Sequence, residues 1–172
     1  MTVKKLLPFI IILAVLGGLA LLRKAGEEPP SLVEQAALQP LVPEGLEADD
    51  VVKVELYAAA KPEEKVVLEK DGDAWKIASS FNAPVAEDVI SEYLDMLVGL
   101  KGESRAVADT DELLKRYELA EDATFRLRAY ETKDGEPAVE LIIGKSDGHG
   151  GVFLRKAGEN QVYSEAANPR EE

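Results

Sequence analysis

The sequence predicts an α+β protein. An N-terminal transmembrane helix precedes one soluble domain of antiparallel hairpins and a meander, with one main amphipathic helix and one short helix. Three observations predict it. Leu6 to Leu22 holds 17 residues without a charged or strongly polar side chain. Beyond Val51, short runs of alternating apolar and polar residues are separated by Asp-Gly and glycine-rich turns. Between them, one stretch repeats its apolar residues with the period of a helix.

The opening run reads LLPFIIILAVLGGLALL. At about 1.5 Å per residue it extends roughly 26 Å, slightly less than a hydrocarbon core of ~30 Å. Lys4, Lys5, Arg23 and Lys24 bracket it, and their long side chains reach the interface. Pro8 falls in the first turn, where its missing N–H costs little. Leu6, Phe9, Ile12, Val15, Leu19 and Leu22 carry the anchor. A buried helix of a soluble protein would keep a polar face, and this run has none. A cleaved signal peptide is the rival reading, with Gly18 and Ala20 at suitable offsets, but Leu21 and Leu22 continue the apolar run where a polar region should precede cleavage. The expectation is an uncleaved single-pass signal-anchor. Two bases lie at each end, the α-amino group adds to the N-terminal side, and a short inside N-terminus with an extracytoplasmic domain is the simpler arrangement.

The composition shifts divide the chain into an anchor with basic flanks (1–24), a proline-rich acidic linker (25–48), the soluble domain (49–165) and a polar tail (166–172). Pro29, Pro30, Pro40 and Pro43 block a long helix in the linker and favour extended chain. Its Ser31–Leu38 stretch has the makings of two helical turns resting on the domain or the membrane.

Within the domain, VVKVELY places Val52, Val54 and Leu56 on one face of a strand. Lys61 to Glu64 forms a turn. VVLEK and AWKIA flank Asp71-Gly72-Asp73, a strong hairpin signal, and direct Val66, Leu68, Trp75 and Ile77 to the core. After Asn82-Ala83-Pro84 comes the main helix, about Ala86 to Leu100. Its apolar face is Val89, Ile90, Tyr93, Leu94 and Leu97, acids Glu87 and Asp88 sit in the first turn, and Gly99 and Gly102 end it. A short strand contains Arg105 and Val107. Asp109 with Glu112 fits a capping box for a short helix ending near Tyr117. Strands at 124–130, 138–143, 151–156 and 161–164 complete an antiparallel meander.

Charge and composition narrow the function. The chain has 20 basic and 33 acidic residues, net -13, and all four bases of the first 24 residues stand without an acid. The remainder is more acidic still and repels phosphate backbones and anionic lipid, so nucleic-acid binding is not expected. The absence of cysteine removes disulfides, thiolate zinc sites, a cysteine nucleophile and a lipidated cysteine anchor.

The succession VVKVEL, VVLEKDGDAWKI, APVAEDVISEYLDMLVGLKGESRAV, TDELLKRYEL, ATFRLRAY, AVELIIGK and GVFLRKAGENQVY resembles the bacterial family called domain of unknown function 4340. The resemblance runs from about residue 49 to 164. It implies an N-terminally anchored protein of the kind often encoded near ABC-type transporters of the gliding-motility class. On that basis the chain would be an extracytoplasmic accessory to such a system. The resemblance carries no catalytic residues.

The residues themselves supply no enzyme signature, and a non-enzymatic role with no cofactor or metal is the expectation. His149, the only histidine, lies in SDGHGG and reads as a solvated loop residue. Gly144 to Gly151 lacks the phosphate-loop pattern and leads into a strand. Asp71-Gly72-Asp73 and Asp109-Thr110-Asp111 are better explained as a turn and a cap than as calcium ligands. None of the serines sits in a nucleophile elbow. The leading reading is therefore a membrane-anchored accessory or interaction domain that holds the bilayer through its helix and contacts an integral membrane protein. The alternative is a module binding a cell-envelope glycan or small ligand, with Tyr57, Trp75 and Tyr130 as its contacts.

Overall fold

The computed structural model describes residues 38–122, 125–148, 150–165 and 168–169. The Leu6–Leu22 anchor, most of the linker, and His149 lie outside them. No helix among the described residues is long and apolar enough to cross a membrane.

In chain order the elements are β1 (Leu38–Pro40), β2 (Lys53–Ala58), β3 (Val66–Asp71), β4 (Ala74–Ile77), β5 (Ala83–Pro84), α1 (Glu87–Val98), β6 (Lys101–Val107), α2 (Asp111–Tyr117), β7 (Phe125–Tyr130), β8 (Val139–Ser146), β9 (Val152–Lys156) and β10 (Gln161–Glu165). Short 3-10 turns at Ala48–Asp50 and Pro62–Glu64 flank β2. The ten strands form one antiparallel sheet in the order β1-β6-β10-β9-β8-β7-β2-β3-β4-β5. The described domain is thus dominated by antiparallel sheet with two helices. Local turns make two meanders, β2 to β5 and β7 to β10, and the β2–β7 ladder from Lys53↔Tyr130 to Ala58↔Phe125 joins them. The Asp-Gly hairpin forms as the sequence indicates. Asp71 pairs with Ala74, leaving a two-residue loop whose Gly72 has φ +65°. The outermost strands, β1 and β5, are three and two residues long and contain Pro40 and Pro84.

Helix α1 links β5 at one edge to β6 next to the other. Twelve helical residues reach only ~18 Å, whereas the eight strand spacings between β5 and β6 laid flat would run ~38 Å. The sheet therefore curls about the helix, as large twisted sheets do. Ile90, Leu94 and Leu97 of α1 join one core with Val54, Trp75, Leu127, Leu141, Leu154 and Tyr163 from strands across the sheet. The opposite face has its own small core, where Leu113, Leu114 and Tyr117 of α2, with Leu119, cover Ile142, Phe153 and Val162. Tyr117 meets Phe153 edge to face at 4.9 Å.

Four details differ from the sequence reading. Composition places residues 38–48 in the linker, yet β1 pairs with β6 and Leu41 and Val42 are buried in the main core. Proline density hid two apolar residues that belong to the domain. The short helix is capped by Thr110, whose Oγ1 accepts from the Leu113 N–H at 3.3 Å, and not by Asp109. Gly99 ends α1, but Gly102 belongs to β6, where a Cβ would lie 2.7 Å from Cβ of Tyr163. Val66 has the parity of the core but stands 45% exposed, because no described residue covers that end of β3.

Candidate functional site

Helical spacing determines what α1 leaves uncovered. Ile90, Leu94 and Leu97 point into the core, and Val89 and Tyr93 lie a fraction of a turn to one side. There they overhang β2, β3 and β4. The result is a groove of about 230 Å³ walled by Leu56, Val66, Leu68, Ile77, Val89 and Tyr93 among others. No side chain in its lining is charged at neutral pH. The Tyr93 hydroxyl donates to the Pro169 carbonyl at 3.3 Å, and burial pushes its pKa up to about 12. Val66 and Val89, 45% and 59% exposed, stand at the groove uncovered.

The β4–β5 hairpin borders the same groove. Ile77 and Val85, both in its wall, are joined by a loop that ends in a tight turn, with the Ala83 N–H donating to the Ser80 carbonyl at 2.9 Å. The two central residues, Phe81 and Asn82, both have φ +53°. Asparagine tolerates that left-handed conformation, whereas a phenylalanine Cβ crowds the following carbonyl. Phe81 gains no burial in exchange, being fully exposed. Phe81 belongs to no motif in the sequence. The available signal was a large aromatic beside asparagine in a turn, where small polar residues and glycine are usual.

On the opposite face, α2 covers β8 to β10 and leaves β2 and β7 open. Alternation gathers Lys53, Glu55, Tyr57, Arg126, Arg128 and Tyr130 there. Glu55, 7% exposed, accepts from Lys65 Nζ at 3.2 Å and from the Tyr130 hydroxyl at 3.1 Å. Burial acts to raise its carboxyl, but the Lys65 bond and charge, the Tyr130 bond and the Lys53 charge outweigh it and hold the pKa below the usual value. Burial, then the Glu55 charge, raises the Tyr130 phenol. Arg126 and Arg128 share Glu140 at 2.8 and 2.9 Å, and Arg126 also pairs with Glu121.

The three aromatic residues singled out in the sequence are not brought together. Tyr57 and Tyr130 are on this polar face. Trp75, two residues before Ile77 and of the same parity, is on the core face, 7% exposed. The Tyr57 ring lies 5.6 Å from the Arg128 guanidinium and the Tyr130 ring 3.9 Å from Lys53 Nζ, so each already has a cationic neighbour.

The remaining motifs are accounted for by local structure. Asp71 bonds Lys76 at 3.0 Å beside its hairpin. In the glycine-rich loop, Asp147 Oδ1 accepts from the Gly151 N–H at 3.0 Å and Oδ2 from the Ser164 hydroxyl at 2.8 Å, which tie the loop to β10. Among the described residues, no group of three or more His, Asp or Glu side chains is arranged to hold a metal ion.

Comparison with known families finds a match over residues 75–171, more than half of the chain, to the model of a domain of unknown function, DUF4340. No curated protein and no solved structure matches.

Proposed function

The chain belongs to the DUF4340 family, and from that premise we propose that it is a membrane-anchored, extracytoplasmic, non-catalytic accessory domain that contacts the integral membrane part of an ABC-type transport system. The observation that carries the reading is the charge-free run Leu6–Leu22, bracketed by Lys4, Lys5, Arg23 and Lys24 and joined to an acidic domain. An apolar groove with Val66 and Val89 exposed in its lining, and an exposed Phe81 on the loop between two residues of its wall, support a role in protein contact, since isolated soluble domains bury or disperse such side chains.

Extraction of native membranes in mild detergent tests it. The full-length chain is expected in the membrane fraction, resistant to carbonate wash, and to co-purify with an integral membrane protein. A mature chain beginning near Leu21 and soluble without detergent would overturn it, as would a chain that is solitary after gentle extraction. A reporter fused after Glu172 reads the orientation and is expected to be active only outside the cytoplasm.

A further inference from the structure

We propose that α1, with the groove on one side, the acidic pocket on the other and the Phe81 turn beside it, forms a docking surface for a basic amphipathic segment of a partner protein. The inference rests on the accessory reading above and gives the partner its chemistry.

Phe81 is the first support. Its backbone conformation is one that glycine or asparagine would hold at less cost, and its ring buries nothing in the domain. Folding does not explain a phenylalanine there, but a ring presented to another surface does. The loop that carries it joins Ile77 and Val85 of the groove wall, and Val66 and Val89 line the same apolar trough.

The other flank of α1 supplies the charge. A pocket of about 310 Å³ is lined by Asp49, Asp73, Glu87 and Asp95, with Lys70 as its one base. None of those four carboxylates takes an ion pair or a side-chain hydrogen bond among the described residues. Trp75 contributes to the same wall. It is more than nine-tenths buried, so its ring reports on that wall. Helix α1 itself carries Glu87, Asp88, Glu92 and Asp95 and no base.

These features select one occupant. The trough takes apolar side chains, and the carboxylates take lysine or arginine. Trough and pocket both touch Ile90 and are separated by the width of a helix, ~10 Å. Two helical turns of a partner segment, or about three extended residues, span that distance. An anionic bilayer is repelled by the acidic flank, and a second copy of this acidic domain is repelled likewise.

Trp75 is the sole tryptophan, so its emission in the full-length chain reports on the pocket directly. The probe is a synthetic helical peptide of leucine and lysine. Its counterparts are the same peptide with glutamate for lysine and a lysine, glycine and serine peptide without apolar residues. Saturable change in Trp75 emission is expected with the leucine–lysine peptide alone. E87Q/D95N is expected to weaken it about tenfold or more, and D134N/E136Q, which lines neither the groove nor the pocket, to leave it unchanged. F81N is expected to weaken binding while raising Tm by about 2–5 °C, since it relieves the turn. A residue kept for folding would move Tm the other way.

The proposal is overturned if the leucine–lysine peptide leaves Trp75 unchanged, if either counterpart binds equally well, or if D134N/E136Q weakens binding as much as E87Q/D95N. It is also overturned if F81N lowers Tm with binding intact, or if anionic phospholipid vesicles produce the same response. Failure here with an intact membrane complex would leave the accessory reading standing and put the partner elsewhere on the domain.

Discussion

A single buried carboxylate illustrates how the polar face depends on pairing. Glu55 is surrounded by Lys53, Lys65 and the Tyr130 hydroxyl. Its folded pKa lies below the ordinary 4.5, so it stabilises the fold above that value, and this stabilisation is lost as pH falls through the lower folded value. Glu55→Gln is expected to flatten that part of the acid limb of a stability-versus-pH curve. Glu55→Ala should cost about 2 kcal/mol at neutral pH, measured by urea unfolding, because Lys65 and the Tyr130 hydroxyl lose their shared acceptor. Alternation assigned Glu55 to the face away from Val54 and Leu56. Its burial could not be read from the chain, since it depends on Lys65 and Tyr130, which are remote in sequence. Phe81 shows the same limit from the other side: its identity was plain, but its left-handed backbone was not.

At the level of elements, α2 depends on two local fits. It ends at Glu118, which holds φ +57° and ψ +39°, the left-handed cap that glycine occupies at lower cost. Glu118→Gly is expected to stabilise the protein by about 1 kcal/mol, seen as a rise in Tm. The helix also approaches β8 closely, and a Cβ on Gly144 would lie 2.3 Å from the Tyr117 carbonyl oxygen. Gly144→Ala is therefore expected to cost about 2–4 kcal/mol, with α2 amides losing protection in hydrogen exchange more than those of α1. Arg155, 4% exposed, fastens the segment after α2 by donating to the Leu119 carbonyl at 3.2 Å and to Glu121 at 2.8 Å. Strand runs, the Asp-Gly hairpin and the α1 face were legible because each is encoded within a few residues. The Thr110 cap and the membership of Gly102 in β6 were not, because adjacent residues competed equally until tertiary packing chose between them.

Across the whole molecule, the sheet is larger than local patterns disclose. Both meanders follow from short turns, but the β2–β7 ladder and the placement of β6 beside β10 are long-range pairings with no local signature. The same holds for the chain before β2. Leu41 is 1% exposed and its N–H donates to the Leu100 carbonyl at 3.0 Å. Leu41→Ala is expected to destabilise the domain by about 2–4 kcal/mol in urea unfolding, a loss that a true linker residue would not give. The groove and the acidic pocket were equally hidden, since each is assembled on α1 from segments that the chain keeps apart.

The prolines at the two rims of the sheet have a consequence for recruitment. Pro40 and Pro84 cannot donate a backbone hydrogen bond, and among the described residues the strands that hold them are only three and two residues long. Augmentation of the sheet by an incoming extended peptide, a common way for such architectures to enlist other polypeptides, is thereby discouraged at both ends. Recognition falls instead to side chains on the faces, where sequence identity and not generic main-chain affinity decides what is held.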